Sequence, residues 1–191
     1  MKAFFSLIDR MNQHPDQQPQ LETMVWDVFG CEKAVFALDM SGFSLTVRRQ
    51  GILAYLRKIR RMQALALPVL RRHDGDLVKC DADNLMVVFS DCNHGVRAAL
   101  DVMAACAADG LPVSIGLDFG RILLIPDADC YGDAVNLAYK LGEDLARAGE
   151  ILVTDAVQQR LDPQTFRVER QHLSVSGLEL DVWRINPAIV P

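Results

Sequence analysis

The chain has 191 residues, half of them hydrophobic and 24% charged, with a formal net charge of −5. That length supports one domain with a sizeable core and room for a terminal appendage. The acidic balance argues against broad, sequence-independent nucleic-acid binding, which needs a basic surface, but leaves room for a small nucleotide held locally with metal ions. Five cysteines (Cys31, Cys80, Cys92, Cys106, Cys130) are scattered and form no C-x-x-C pair. They point to reduced thiols in a cytoplasmic compartment rather than a disulfide framework or zinc site. The apolar run in MKAFFSLIDR is too short for a signal segment, and no later stretch is long enough to span a membrane. A soluble, intracellular protein is expected.

In chain order, residues 1–12 place Phe4, Leu7, Ile8 and Met11 at helical spacing. HPDQQPQ (14–20) reads as a polar linker, and LETMVWDVFG resumes a helix that stops at Gly30. Residues 1–30 are therefore set apart as a helical segment and linker that packs against the core, and 31–191 as the main domain. AVFALDM is strand-like, and a long helical pattern runs from about Thr46 to Leu70. Its basic cluster from Arg57 to Arg61 reads as a solvated helix face, since no aromatic stacking set accompanies it. DLVKC and LMVVF form two strands joined through DADN. HGVRAALDVMAACAAD is a helix ending at Gly110, and LPVSIGLDF and RILLI are strands around Gly120. PDADCYGD turns into the helix AVNLAYKLGEDLARAG. EILVT is a strand, DAVQQRL a helix, and FRVERQHLSVS and LELDVWRI are strands. The alternation implies an α/β (α+β) fold with a ferredoxin-like β-α-β-β-α-β core and a mixed sheet.

Asp39 closes the first strand and Asp83 sits in the next hairpin turn, so this topology brings both to one end of the sheet. Neighbouring carboxylates repel, and a shared divalent cation resolves the repulsion where oxygen ligands predominate. Beyond Asp39, the backbone N–H groups of Met40 to Ser44, including Gly42 and Phe43, offer a place for phosphate oxygens beside a helix start. Lys79 lies four residues before Asp83 on the same strand and wants an acceptor. Asn136 and Lys140 are four apart and share a helix face.

LDMSGFS, HDGDLVKCDADNLMVVF, VSIGLDFG, DCYGDAVNLAYKL and GEILVTDAV follow one another in order. Together they resemble the successive blocks of a class III nucleotide cyclase catalytic domain, over about residues 34–160. Taken alone, each block has a blander reading: Asp39 as a cap and Asp83 as a turn residue. The resemblance implies conversion of ATP to 3′,5′-cyclic AMP and pyrophosphate with two Mg2+ or Mn2+ ions. It also implies a homodimer that builds each site from both chains. Asp39 and Asp83 correspond to the metal-binding aspartates, with the Met40 carbonyl as an extra ligand. Lys79 and Asp129 correspond to the pair that reads adenine, Asn136 to the ribose-orienting asparagine, and Lys140 to the position of a transition-state arginine. Asp127 is close enough to Asp129 for loop length to decide between them.

The sequence departs from that family in three places. Lys140 keeps the arginine's charge but lacks its bidentate fork. No lysine adjoins Gly177 in the tail, where many cyclases use one on the terminal phosphates, leaving Arg184 or a partner's base as substitutes. Ala82 stands where a glycine usually precedes the second aspartate. Two rival readings remain: a catalytically weak or inactive cyclase-like binding module, and a cyclase for GTP or a pyrimidine triphosphate.

Overall fold

A long central strand organises the molecule. β1 (Gly30–Met40) buries Ala34 to Leu38 without interruption, as a strand covered on both faces requires. The structure, a computed structural model, describes residues 1–126, 128–175 and 178–186, with only the backbone of 43–46, 174, 175 and 178. β1 pairs antiparallel with β3 (Asn84–Phe89) on one side and with β4 (Val113–Ile125) on the other. Adding β2 (Asp76–Asp81), β6 (Ile151–Thr154), β7 (Arg167–Val175) and β8 (Leu178–Asn186) gives the sheet order β2-β3-β1-β4-β6-β8-β7. Short β5 (Asp129–Tyr131) pairs with the far end of β4. The order β2-β3-β1-β4 is the expected ferredoxin-like core, and the parallel β4–β6 pair makes the sheet mixed.

Alternation along β1 sends its side chains to two cores. Phe36, Leu38 and Met40 face α3 (Phe43–Gln50), α4 (Ile52–Arg72) and α5 (Cys92–Ala108), packing with Tyr55, Ile59, Met62, Val96 and Val102. Val35 and Ala37 face α6 (Asp133–Tyr139), with Met86, Cys130 and Ala138. At one end, α1 (Lys2–Gln13) and α2 (Gln18–Phe29) bury Phe4 and Val25 against Ile125, and the Phe4 ring stacks on Tyr131 at 5.7 Å. α7 (Asp155–Gln158) follows β6 and buries Val157.

Three expectations are corrected. The helix drawn from Thr46 to Leu70 is two helices, because Gly51 at φ 85° and ψ 164° breaks the chain between α3 and α4. Within HPDQQPQ, a 3-10 turn over Pro15–Gln17 leads into α2 at Gln18. The runs on either side of Gly120 form one strand, β4. Finally, the helix expected through Gly149 becomes a π-helical segment, Lys140–Leu145, and ends there. Gly30 does close α2, though in extended conformation; a Cβ there would meet the Trp26 carbonyl at 2.3 Å.

The π segment lies almost on the sheet backbone. A Cβ on Gly116 of β4 would sit 2.2 Å from the Ala138 carbonyl oxygen and 2.4 Å from the Gly142 nitrogen. A Cβ on Gly142 would sit 2.9 Å from the Ala37 carbonyl oxygen. This pair of glycines brings the residues after Asn136 down onto β1 and β4, next to Asp39.

Candidate active site

Asp39 is the penultimate residue of β1 and points to the α6 side, in register with Ser114 of β4. Burial raises its carboxyl above the ordinary carboxylate range. Repulsion from Asp83 adds to that, and the Met40 amide donating to it partly offsets both. Asp83 occupies the turn between β2 and β3, reached through Ala82 at φ 48°. That left-handed conformation favours glycine and costs an alanine roughly 1 kcal/mol. The Gln63 side chain of α4 donates to the Ala82 carbonyl at 3.0 Å and holds the turn in place. Asp83 thus lies near enough to this end of β1 for its charge to act on Asp39.

Two residues absent from the sequence expectations join them. Tyr55 of α4, 1% exposed, directs its hydroxyl at Asp83 Oδ2 (2.7 Å) and lies 3.2 Å from the Met40 carbonyl oxygen. Burial, then the bond to Asp83, pushes its phenol far above the usual range, so it stays a proton donor. Glu143 of the π segment accepts from Asn84 Nδ2 at 2.7 Å. Its carboxyl is raised by burial, then by Asp39, Asp144 and Asp83. The one sequence signal for Tyr55 was its place on the inward stripe of α4 with Ile59 and Met62, a hydroxyl within an otherwise apolar row.

Lys79 and Asp129 form a second centre. β2 carries a bulge between Leu77 and Lys79, which shifts the register so that Lys79 lies opposite Met86 on the α6 face. Met86 touches Cys130, whose Sγ is 3.3 Å from the methionine sulfur, and Cys130 is Asp129's neighbour in β5. Lys79 Nζ is accordingly 3.3 Å from Asp129 Oδ2, and 3.4 Å from Asp81. The bond and charge of Asp129, then Asp81, raise the lysine pKa and keep it a cationic donor. Both members of the pair remain accessible, at 38% and 25% side-chain exposure. Tyr139, its phenol pushed up to about 12 by burial, feels both Lys79 and Glu143 and so stands between the two centres.

Asn136 is exposed on α6, and the Lys140 amide donates to its carbonyl, so the two side chains do share a face. Gly42 adopts φ 90° and ψ 18° at the N-cap of α3, a turn that a side chain would strain. The side chains of Phe43 and Ser44 lie outside the described residues, as do Asp127 and Gly177. Arg184 is engaged elsewhere, 2.8 Å from Glu169 and 3.7 Å from Glu150.

The donors at the first centre are hard oxygens: Asp39, Asp83 and the Met40 carbonyl, with excess negative charge. Among the described residues no three His, Cys, Asp or Glu side chains form a complete metal cage. Such a set fits Mg2+ or Mn2+, which bind through one or two carboxylates and complete their shell with substrate phosphates and water.

The mixed eight-stranded sheet matches the fold of class III nucleotide cyclase catalytic domains. The chain is 27% identical over 166 residues to "Putative adenylate cyclase 3" of Rhizobium meliloti, covering 81% of this chain. It spans 28% of that protein's length. Among solved structures, an adenylate/guanylate cyclase/hydrolase from Silicibacter pomeroyi is 27% identical, with a TM-score of 0.68 over 83% of this chain and 98% of that one. The adenylyl cyclase CyaB from P. aeruginosa superposes with a TM-score of 0.72 at 18% identity, over 84% and 97% of the two chains. No protein-family profile matches the chain. No helix among the described residues is long and apolar enough to cross a membrane.

Proposed function

We propose that the chain is an adenylate cyclase domain that converts ATP to 3′,5′-cyclic AMP and pyrophosphate at sites completed by a second copy. The observation that carries this reading is the pairing of Asp39 and Asp83 at one sheet end, beside the Met40 carbonyl, on a cyclase fold. Two Mg2+ or Mn2+ ions bound there would supply the charge that acidifies the ribose 3′-hydroxyl and holds the triphosphate. Asp39 and Asp83 bind and balance that charge, and the backbone from Met40 through Gly42, Phe43 and Ser44 offers N–H groups to phosphate oxygens. Lys79 donates to ring N1 of adenine and Asp129 accepts from its 6-amino group, a pattern that guanine mismatches. Asn136 orients the ribose, and Lys140 stabilises charge on the α-phosphoryl as the 3′-oxygen attacks and pyrophosphate leaves.

Lys140 in the arginine position favours a second reading, a nucleotide-binding module that turns over weakly or not at all. The discriminating experiment is turnover of purified protein with Mn2+ and each of the four nucleoside triphosphates. Cyclic AMP formation that disappears in Asp39→Ala supports the enzyme. Binding without product supports the module, and preference for another base overturns the adenine assignment.

A further inference from the structure

We infer that Tyr55 is the positioning residue of the metal centre, holding Asp83 and the Met40 carbonyl in a ligand geometry through one hydroxyl. The inference rests on the reading of Asp39, Asp83 and Met40 as cation ligands, and adds a residue that touches neither cation nor substrate. Its basis is the convergence of three elements on one oxygen. Met40 ends β1, Asp83 sits in the turn between β2 and β3, and Tyr55 comes from the first turn of α4 on the opposite side. The β1–β3 ladder, with Leu38 opposite Leu85, sets the strand end beside the hairpin turn but does not by itself orient the Asp83 side chain. A single hydroxyl 2.7 Å from Asp83 Oδ2 and 3.2 Å from the Met40 oxygen ties that carboxylate to the strand end.

The proton count sharpens the role. A phenol has one O–H and donates it to one acceptor at a time. The shorter contact, to a carboxylate, is the charge-assisted bond, and the Met40 carbonyl is the secondary acceptor. The Tyr55 bond takes one lone pair of Oδ2, which orients the Asp83 carboxylate and leaves its remaining lone pairs available to a cation. The Met40 carbonyl makes only the longer contact with Tyr55, so it too would be available to a cation. A buried tyrosine ordinarily needs some partner for its hydroxyl. What exceeds that need is that both acceptors here belong to the same ligand set and arrive from different strands. α4 reinforces the arrangement a second time, because Arg60 donates to Gln63 at 2.7 Å while Gln63 holds the Ala82 carbonyl beside Asp83.

The test is Mn2+ binding to nucleotide-free protein, followed by electron paramagnetic resonance of the free ion, for wild type, Tyr55→Phe and Asp83→Asn. Phenylalanine preserves the ring packing against Ile59 and Leu38 and deletes only the hydroxyl. Outer-shell partners of metal ligands typically contribute about 10–100-fold in affinity. Tyr55→Phe is therefore expected to weaken Mn2+ binding by about tenfold or more, and to raise the Mn2+ concentration for half-maximal turnover while leaving the nucleotide KM at saturating Mn2+ unchanged. Wild-type affinity in Tyr55→Phe, with binding lost in Asp83→Asn, overturns the role of Tyr55 and leaves the metal centre standing. No Mn2+ binding by wild type, or binding indifferent to Asp83→Asn, overturns the metal centre and this inference together. A Tyr55→Phe loss that appears in nucleotide KM and not in Mn2+ affinity also overturns it, since the hydroxyl would then act on substrate.

Discussion

Replacing Gly116 with alanine tests whether the π segment truly rests on the sheet. The added methyl would lie 2.2 Å from the Ala138 carbonyl oxygen, 2.4 Å from the Gly142 nitrogen and 2.7 Å from the Leu141 Cβ. All three belong to or immediately precede one rigid turn, two of them are backbone atoms, and no flexible side chain can move aside. Ordinary carbon–oxygen contact lies near about 3.4 Å, so the segment must lift by about 1 Å. Overpacking of this kind costs typically about 1–3 kcal/mol, which for a domain of this size lowers Tm by roughly 2–12 °C. The lift also carries Glu143, which feels Asp39 and Asp83, away from the metal centre, and a misplacement of about 1 Å at a reacting centre costs about 100-fold in rate. Thermal unfolding by circular dichroism reads the first effect and cyclic-nucleotide production with Mn2+ reads the second. A variant with wild-type Tm would refute the backbone contact. A destabilised variant with wild-type turnover would keep the contact but detach the π segment from the chemistry.

Two further outcomes are expected. Exchanging Lys79 for Glu together with Asp129 for Cys should lower the ratio of kcat/KM for ATP over GTP by at least about tenfold, the cost of mismatching donors and acceptors that a bound base would cover; an unchanged ratio removes both residues from base reading. Asp39 provides a pH test, because burial and Asp83 raise its carboxyl in the fold. A carboxyl with a raised folded-state pKa binds more protons in the native state, so its contribution to stability falls as pH climbs from about 4 through the folded value. Without divalent cation, Asp39→Asn should therefore melt higher than wild type by a margin that widens across that window, and Mg2+ should close the margin by stabilising wild type alone. A margin that stays flat with pH would contradict the buried, mutually repelling pair.

The hydrophobic periods, the turn residues at DADN and the order of blocks were enough to read the ferredoxin-like core, with Asp39 and Asp83 at one end of it. Strand alternation along AVFALDM likewise assigns Phe36 and Leu38 to one face and Ala37 and Asp39 to the other. These features are local, since a period of two or of 3.6 residues is written in neighbouring side chains. Several decisive features are not local. The bulge before Lys79 turns that side chain toward Asp129, and its position follows from how β2 registers against β3. The π segment after Asn136 depends on Gly116 meeting Gly142 from a strand more than twenty residues earlier. Tyr55 looked like any inward residue of α4 until the hairpin turn of Asp83 was folded against it. The sequence alone determined which chemical groups the protein owns and which strand ends carry them. Only tertiary structure decided how those groups face one another, because register, backbone contact and a shared hydroxyl exist only between segments distant along the chain.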